Sequence, residues 1–159
     1  MDHDTVSAER IVPAPPEAVF AMLSDASRHS EFDGSGTVRG TSGPSEPLRA
    51  GSVFGMSMNQ GFSYSTQNTV IEFEQDRRIA WQTTGAGLLA KVVGGRIWRY
   101  ELEPTEGGGT RLRETWDLSQ DKQRFLIKRS PLVRTTRSNI DKTLARIEEQ
   151  LRDQGETPA

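Results

Sequence analysis

The spacing of apolar and polar residues changes several times along the chain. Val6 to Val12 is typical of a strand, and Pro15 and Pro16 follow it with the fixed φ angles that suit the first turn of a helix. The next apolar residues recur at helical spacing and end near Ser24, and a second short helical turn is predicted from Arg28 to Phe32. We therefore expect a strand followed by two short helices.

Period-two alternation dominates from Thr37 to Ser119, where short runs are separated by Gly, Pro, Asn and Asp. This pattern is typical of antiparallel strands. Glu106 to Gly109 predicts a hairpin turn, because glycine tolerates the positive φ angles of tight connections. Six further strands are predicted, centred on Val38, Phe54 to Met58, Tyr64 to Phe73, Ile79 to Thr83, Arg96 to Leu102 and Arg111 to Leu118.

The alternation is inconsistent within the run from Tyr64 to Phe73. Asn68 and Val70 share one face with Tyr64, whereas Ile71 and Phe73 share the other. A β-bulge inserts one residue and would bring both apolar sets to the same face.

Helical spacing returns near the C-terminus. Ser130 and Pro131 are suited to the N-cap and first position of a helix, which is expected to end near Asp153. One apolar stripe follows its length, formed by Ile140, Leu144, Ile147 and Leu151. The 159 residues fit one domain, and disordered tails are expected at positions 1–5 and 154–159.

Three stretches carry a resemblance to a known superfamily: "ERIVPAPPEAVFAMLSD", "VIEFEQDRRIAW" and "WRYELEPTEGGGTRLRETWDL". Together with the order of elements, they resemble the START-related, or SRPBCC, superfamily of polyketide cyclase/dehydrase and lipid-transport proteins. The resemblance implies an α+β helix-grip fold, in which a seven-stranded curved antiparallel sheet wraps around a long C-terminal helix. It implies an internal cavity for a hydrophobic small molecule, and the superfamily contains both carriers and enzymes.

Composition narrows the chemistry. The chain has no cysteine and two histidines, His3 and His29, which excludes disulfides, thiolate nucleophiles and cysteine-ligated metal sites. His3 lies in a start that is expected to be disordered and His29 in a polar short helix, so we predict no histidine-based mechanism, no metal and no cofactor. The net charge of −2, the absence of a signal-like start and the lack of a long apolar run favour a cytoplasmic protein without nucleic-acid or integral membrane binding.

Alternation places several side chains on the sheet face toward the long helix, where a ligand cavity is expected. Core packing is the alternative interpretation, because aromatic and methionine side chains also fill cores. The candidate ligand-binding residues are Phe54, Met56, Met58, Trp81, Leu88, Leu89, Trp98, Tyr100, Glu114, Trp116, Ile140 and Leu144.

Glu114 is the most informative candidate, because alternation places its carboxylate between Leu112 and Trp116 on the inner face. A buried carboxylate needs a partner. We expect pairing with Arg99 or Arg96; the alternative is a raised pKa that suits a general acid or a ligand anchor.

Two segments outside the sheet core are also candidates. The glycine-flanked aliphatic segment from Gly85 to Gly95 suits a lid or a contact with another subunit. Lys122 to Arg137 contains six basic and no acidic residues, with Phe125 to Ile127 among them. This segment is interpreted as a solvated face or as a transient contact with an anionic ligand or membrane surface.

The leading functional hypothesis is a non-catalytic carrier or sensor for a lipid, isoprenoid, quinone or polyketide. An aromatase/cyclase-like enzyme is the alternative, with Glu114, Tyr100 or Tyr64 moving protons. A third hypothesis is a protein-interaction domain with a collapsed cavity. Both a monomer and a homodimer fit the sequence.

Overall fold

The structure is a computed structural model that describes residues 4–34, 38–42, 46–59, 61, 63–85 and 92–155. Its strands are β1 (Thr5–Val12), β2 (Val38–Ser42), β3 (Val53–Asn59), β4 (Ser63–Glu74), β5 (Arg78–Gly85), β6 (Gly94–Pro104) and β7 (Thr110–Asp117). Its helices are α1 (Pro16–Leu23), α2 (His29–Phe32), α3 (Arg124–Lys128) and α4 (Leu132–Gly155), with a 3₁₀ turn at Ala26–Arg28.

The strands form one seven-stranded sheet in the order β1-β7-β6-β5-β4-β3-β2. Every neighbouring pair is antiparallel, and β2 to β7 follow one another as successive neighbours, while β1 closes the other edge beside β7. The predicted α+β class, antiparallel sheet and long C-terminal helix are confirmed. No helix among the residues that the structure describes is long and apolar enough to cross a membrane.

Helix boundaries follow the local signals. Pro15 is the N-cap of α1 and has extended φ and ψ angles of −69° and 158°. Ser130 Oγ accepts a hydrogen bond from the Leu132 backbone N–H at 3.2 Å and so caps α4. The short helix α3 was not predicted, because its five residues show no complete helical period.

The predicted bulge lies in β4, where the register with β5 shifts between Val70 and Glu72. Ile71 is 42% exposed, whereas Val70 is 2% exposed. Beyond the bulge, the Phe73 ring packs edge-on against Phe20 with a centroid distance of 5.4 Å. The bulge therefore returns Val70 and Phe73 to the same core, as expected.

Helix α4 packs mainly against β1 and also contacts β7, α2 and α3. Gly34 permits the close contact between the end of α2 and α4, since a Cβ atom there would lie 2.2 Å from the Asn139 carbonyl oxygen. The Gly34 N–H donates to Thr143 Oγ1 at 2.8 Å. The predicted stripe of α4 is buried in the core and consists of Ile140, Leu144, Ile147 and Leu151. Helix α2 is thus held between α4 and the sheet end that carries β2.

Candidate functional site

The inner face of the sheet, toward α1, α2 and α4, carries most of the predicted candidates. Met56 and Trp98 pack against the core while remaining partly exposed. The backbone of Met58 and Tyr64 lies in β3 and β4, but their side chains lie outside the described part of the structure, as do Leu88 and Leu89 entirely. The fully buried candidates are Phe54, Trp81, Tyr100, Glu114, Trp116, Ile140 and Leu144.

Aromatic rings form a continuous stack across this face. The His29 ring of α2 lies nearly parallel to Trp81, with centroids 4.8 Å apart and an angle of 19°. Phe54 packs edge-on against both rings, at 5.3 Å and 5.6 Å. On the other side, Trp81 and Tyr100 are 5.6 Å apart. The stack therefore connects α2 to the middle of the sheet.

Glu114 lies next to the last ring of this stack. Tyr100 Oη donates a hydrogen bond to Glu114 Oε1 at 2.9 Å. The two residues are directly opposite each other on β6 and β7. The expected pairing of Glu114 with an arginine is wrong. Arg99 instead pairs with Glu72 and Asp117 on the outer face, and Arg96 pairs with Asp121.

The surroundings of Glu114 favour its neutral form. Burial raises the pKa of Glu114 from 4.5 to about 8; the hydrogen bond from Tyr100 opposes this by lowering the pKa, and the negative charge of Asp33 raises it. Burial and the Glu114 carboxyl raise the pKa of Tyr100 well above its usual value. Glu114 is thus mainly a carboxylic acid at neutral pH, which agrees with the second interpretation made from the sequence.

His29 is a functional candidate that the sequence analysis missed. It was placed in polar surroundings, but only 2% of its surface is exposed. Burial lowers the pKa of His29 from 6.5 to about 4, so the ring is neutral at pH 7. Its position three residues before the buried Phe32, on one face of α2, was the available signal.

The neutral His29 ring has a defined tautomer. Nε2 lies 2.9 Å from the Leu23 carbonyl oxygen, which can only accept, so Nε2 carries the proton and donates. Nδ1 then holds a lone pair that accepts hydrogen bonds. This acceptor is buried and has no hydrogen-bond partner.

Three buried side-chain atoms in the described ranges have no hydrogen-bond partner: His29 Nδ1, Glu114 Oε2 and Trp116 Nε1. Glu114 and Trp116 are two positions apart on β7 and so face the same side. Buried polar groups are nearly always paired with protein, water or ligand, and an unpaired one costs stability. An interior with one acceptor, one indole donor and one carboxyl is therefore suited to hold polar atoms that the chain itself does not supply.

A further buried polar pair lies nearby on the same face. Thr83 Oγ1 donates to Asn68 Oδ1 at 2.6 Å, and Asn68 Nδ2 donates to the Phe54 carbonyl oxygen at 3.4 Å. Because both ends of the Asn68 amide are engaged, this pair stabilises strand pairing and offers no unpaired group. No cluster of three His, Asp or Glu side chains that suits a metal ion occurs among the described residues.

The comparisons with known proteins agree with this architecture. The family model described as "Polyketide cyclase / dehydrase and lipid transport" matches residues 3–152. The chain belongs to this family. Its description names polyketide cyclases, dehydrases and lipid transport, which indicates a hydrophobic ligand-binding domain and no particular ligand.

Individual relatives extend the comparison. The chain is 30% identical over 151 residues to an uncharacterized protein of Mycobacterium tuberculosis, Rv0088, covering 91% of this chain and 63% of that relative. The chain thus spans less than two thirds of this curated relative. Protein NE0264 of Nitrosomonas europaea has a similar structure, with a TM-score of 0.68, 18% identity and coverage of 99% and 100% of the two chains. The polyketide-cyclase-like protein Cgl2372 of Corynebacterium glutamicum has a TM-score of 0.62, 24% identity and coverage of 96% and 93%. Both structures support the fold.

Proposed function

We propose that this chain binds an apolar small molecule, such as a lipid, isoprenoid, quinone or polyketide, between the inner face of the sheet and its covering helices. The observation that carries the proposal is the set of three buried atoms without a partner, His29 Nδ1, Glu114 Oε2 and Trp116 Nε1. A domain evolved only to pack its core gains nothing from such atoms, since each costs free energy when left unpaired. A bound molecule with polar atoms would pair them.

The surroundings of these atoms favour an otherwise apolar ligand. Trp81 and Phe54 pack their rings against His29, and Tyr100 packs against Trp81. Burial of apolar area stabilises a complex by roughly 25 cal/mol per Å², so a ligand that buries a few hundred Å² gains several kcal/mol before the costs of association. The aromatic stack would supply affinity, and the polar atoms would fix the ligand's orientation.

Native mass spectrometry of protein purified from its own host tests this proposal, with organic extraction and identification of what is released. A stoichiometric lipid, quinone or polyketide is expected. Trp81→Leu should weaken rebinding of the extracted molecule at least about tenfold, because the central ring of the stack is lost. Ile11→Ala, at a side chain that is 59% exposed, is the matched control and should leave binding unchanged.

An empty protein that also fails to bind a library of hydrophobic compounds would contradict the proposal. It would favour the interaction-domain hypothesis instead, in particular if the same spectra show a stable dimer. The oligomeric state is therefore read from the same experiment.

A polyketide-cyclase-like activity is the second candidate, and the neutral carboxyl of Glu114 favours it. A general acid works best when its pKa lies near the working pH, and burial raises the pKa of Glu114 to about 8. As an enol carbon of a poly-β-ketone bonds to a ketone carbon, Glu114 would donate its proton to the ketone oxygen, and the enol O–H proton would return to the carboxylate, which Tyr100 holds by its hydrogen bond. Turnover of a synthetic poly-β-ketone thioester tests this: Glu114→Gln should abolish product formation while binding persists, and equal turnover by both proteins would exclude the mechanism.

Surface contact with an anionic membrane is a proposed means of ligand exchange. Phe125 and Leu126 of α3 are 66% and 71% exposed. Exposed cations follow them in the chain, including Arg129, Arg134 and Arg137, and the segment from Lys122 to Arg137 contains no acid. Adjacent exposed apolar and basic side chains favour partitioning to an anionic interface.

Flotation with liposomes tests this contact, using phosphatidylcholine vesicles with and without about 30% phosphatidylglycerol. The protein should float only with the anionic vesicles, and the F125E/L126E double variant should remain at the bottom. The I11E/V53E double variant adds the same two negative charges at exposed apolar positions of β1 and β3, outside the segment from Lys122 to Arg137, and is the control. Equal flotation of all three proteins would contradict the contact.

A further inference from the structure

The three unpaired atoms also restrict the chemistry of the ligand that they would contact. This inference rests on the proposed function and deepens it. Each atom has a fixed hydrogen-bonding character that follows from its chemistry and its neighbours. Together they describe the polar group that would complete the site.

His29 Nδ1 accepts and cannot donate, because the proton of the neutral ring is held on Nε2 by the Leu23 carbonyl. It therefore requires a ligand hydroxyl or N–H. Trp116 Nε1–H can only donate, so it requires a ligand acceptor such as a carbonyl or ether oxygen. The two residues belong to different elements, α2 and β7.

Glu114 Oε2 adds a second donor. Oε1 accepts from Tyr100, which leaves the acid proton to Oε2 in the neutral carboxyl. The site thus offers two donors and one acceptor, all buried and without partners in the described structure. A ligand bearing a hydroxyl together with a carbonyl would satisfy all three atoms.

The interior does not suit an anionic group. No lysine or arginine is among the buried residues of the described chain. Arg99 is paired on the outer face of the sheet, and Arg96 is paired with the buried carboxylate of Asp121. A ligand carboxylate or phosphate would lose its hydration without gaining a cation, and it would lie near Glu114 and Asp33.

We propose that the inner site selects an uncharged ligand that carries both a hydroxyl and a carbonyl group, with His29 as acceptor and Trp116 and Glu114 as donors. His29 and Trp116 are the specificity-determining residues. Fatty acids, phospholipid head groups and other anions are excluded, whereas hydroxylated ketones, hydroxyquinones and related neutral compounds are accepted. The assignment concerns the polar group alone and holds for a carrier and for an enzyme.

Three probes of one ring size test the inference at pH 7: fluorenone, 2-hydroxyfluorenone and fluorenone-2-carboxylate. Dissociation constants are measured by quenching of tryptophan fluorescence and by calorimetry. We expect 2-hydroxyfluorenone to bind at least about fivefold more tightly than fluorenone, which corresponds to one added hydrogen bond. The carboxylate should bind on the order of 100-fold more weakly than fluorenone, because its charge would be buried without a partner.

Two variants separate the roles of the residues. His29→Phe keeps an aromatic ring against Trp81 but removes the acceptor, so it should abolish the advantage of the hydroxyl without changing the binding of fluorenone. Trp116→Phe removes the donor and should weaken both ketones about equally. The His29→Phe result is a ratio measured on one variant, so a modest loss of stability does not imitate it; for Trp116→Phe, the free energy of unfolding is measured alongside binding to show that the weaker binding is not a loss of fold.

A spectroscopic readout is independent of affinity. The indole N–H resonance that disappears in Trp116→Phe should move on addition of fluorenone to the unmodified protein, because a new acceptor then contacts Trp116 Nε1.

The outcomes distinguish the two proposals. If all three probes bind and the carboxylate is equal to or tighter than the neutral ketones, the selectivity is wrong while ligand binding stands. If none of the probes binds and the host-purified protein is empty, both proposals are overturned.

Discussion

The two faces of the sheet differ in whether their polar side chains have partners. On the outer face, Arg99 lies between Glu72 at 2.7 Å and Asp117 at 3.4 Å, so each charge has a partner. On the inner face, Glu114 has a hydrogen bond from Tyr100 alone, and its second oxygen is unpaired. These two arrangements come from neighbouring residues of β6, since Arg99 and Tyr100 point to opposite faces.

The paired polar groups of the outer face are compatible with a stable fold, whereas the unpaired polar groups of the inner face lower its stability. Partly exposed pairs on the outer face cost little to maintain and contribute little when they form. Buried unpaired groups on the inner face reduce the stability of the protein without ligand. Stability is commonly lower where a site is arranged for binding, and the following predictions test whether the inner face follows this pattern.

The largest expected effect is the pH dependence that Glu114 imposes. Its pKa is about 8 in the folded protein and 4.5 ordinarily, so the unfolded chain ionises first as pH rises. The contribution of Glu114 is therefore complete below pH 4.5 and is lost by about pH 8, a change on the order of 5 kcal/mol in the free energy of unfolding. Chemical denaturation of Glu114→Gln should show no such loss.

Tyr100→Phe serves as the control for Glu114. The hydrogen bond from Tyr100 favours the ionised carboxyl and lowers the pKa of Glu114. Its removal should extend the loss of stability to higher pH. A wild-type free energy of unfolding that is constant from pH 6.5 to 8 would contradict the burial of a neutral Glu114.

His29 changes the free energy of unfolding with pH in the opposite direction to Glu114. Burial lowers its pKa from 6.5 to about 4, so the unfolded chain takes up a proton before the folded protein does. Its contribution is present above pH 6.5 and is lost as pH falls toward 4, on the order of 3 kcal/mol. His29 and Glu114 should therefore nearly cancel between pH 4.5 and 6.5, where the wild-type curve is flat.

His29→Phe breaks this balance. In that variant the Glu114 effect acts alone, so the free energy of unfolding should fall continuously from pH 4.5 to 8. Denaturation curves for the wild type, His29→Phe and Glu114→Gln give three different pH profiles. Identical profiles for the wild type and His29→Phe would show that His29 is not buried as described.

The fold was predictable because its signals are local. Alternation in β7 assigned Glu114 to the inner face, and the broken alternation in β4 indicated the bulge at Ile71. The caps at Pro15 and Ser130 marked the starts of α1 and α4. Each of these features depends on a few successive residues, which the sequence alone displays.

The site was harder to predict because its contacts join distant elements. His29 and Trp81 are far apart in the chain, and no periodicity indicates that α2 brings their rings into contact. The expected arginine partner of Glu114 was wrong because residues adjacent on a strand point to opposite faces, so Tyr100 and not Arg99 is opposite Glu114. Tertiary packing determines which residue pairs with Glu114, whereas alternation indicates only which face of the sheet that residue is on.

The third prediction compares apolar residues on the two faces at the bulge of β4. Val70→Ala removes buried methyl groups and should lower the free energy of unfolding by about 2 kcal/mol, including the cavity that remains. Ile71→Ala shortens a side chain that is 42% exposed and should cost less than about 0.5 kcal/mol. Urea denaturation of both variants measures the difference, and equal losses would place the bulge elsewhere in β4.

The smallest expected effect lies on the outer face, at Arg99. In Arg99→Met, Glu72 keeps Arg78 at 3.4 Å and Asp117 keeps the Ser119 N–H at 2.9 Å, so no acceptor is left alone. The loss should be about 1 kcal/mol, decreasing as salt is added because the pairs are partly exposed. Binding of 2-hydroxyfluorenone should be unchanged, since Arg99 points away from the inner face. A loss of ligand affinity in this variant, with stability retained, would show that the outer charges reach the site and would remove the distinction between the two faces.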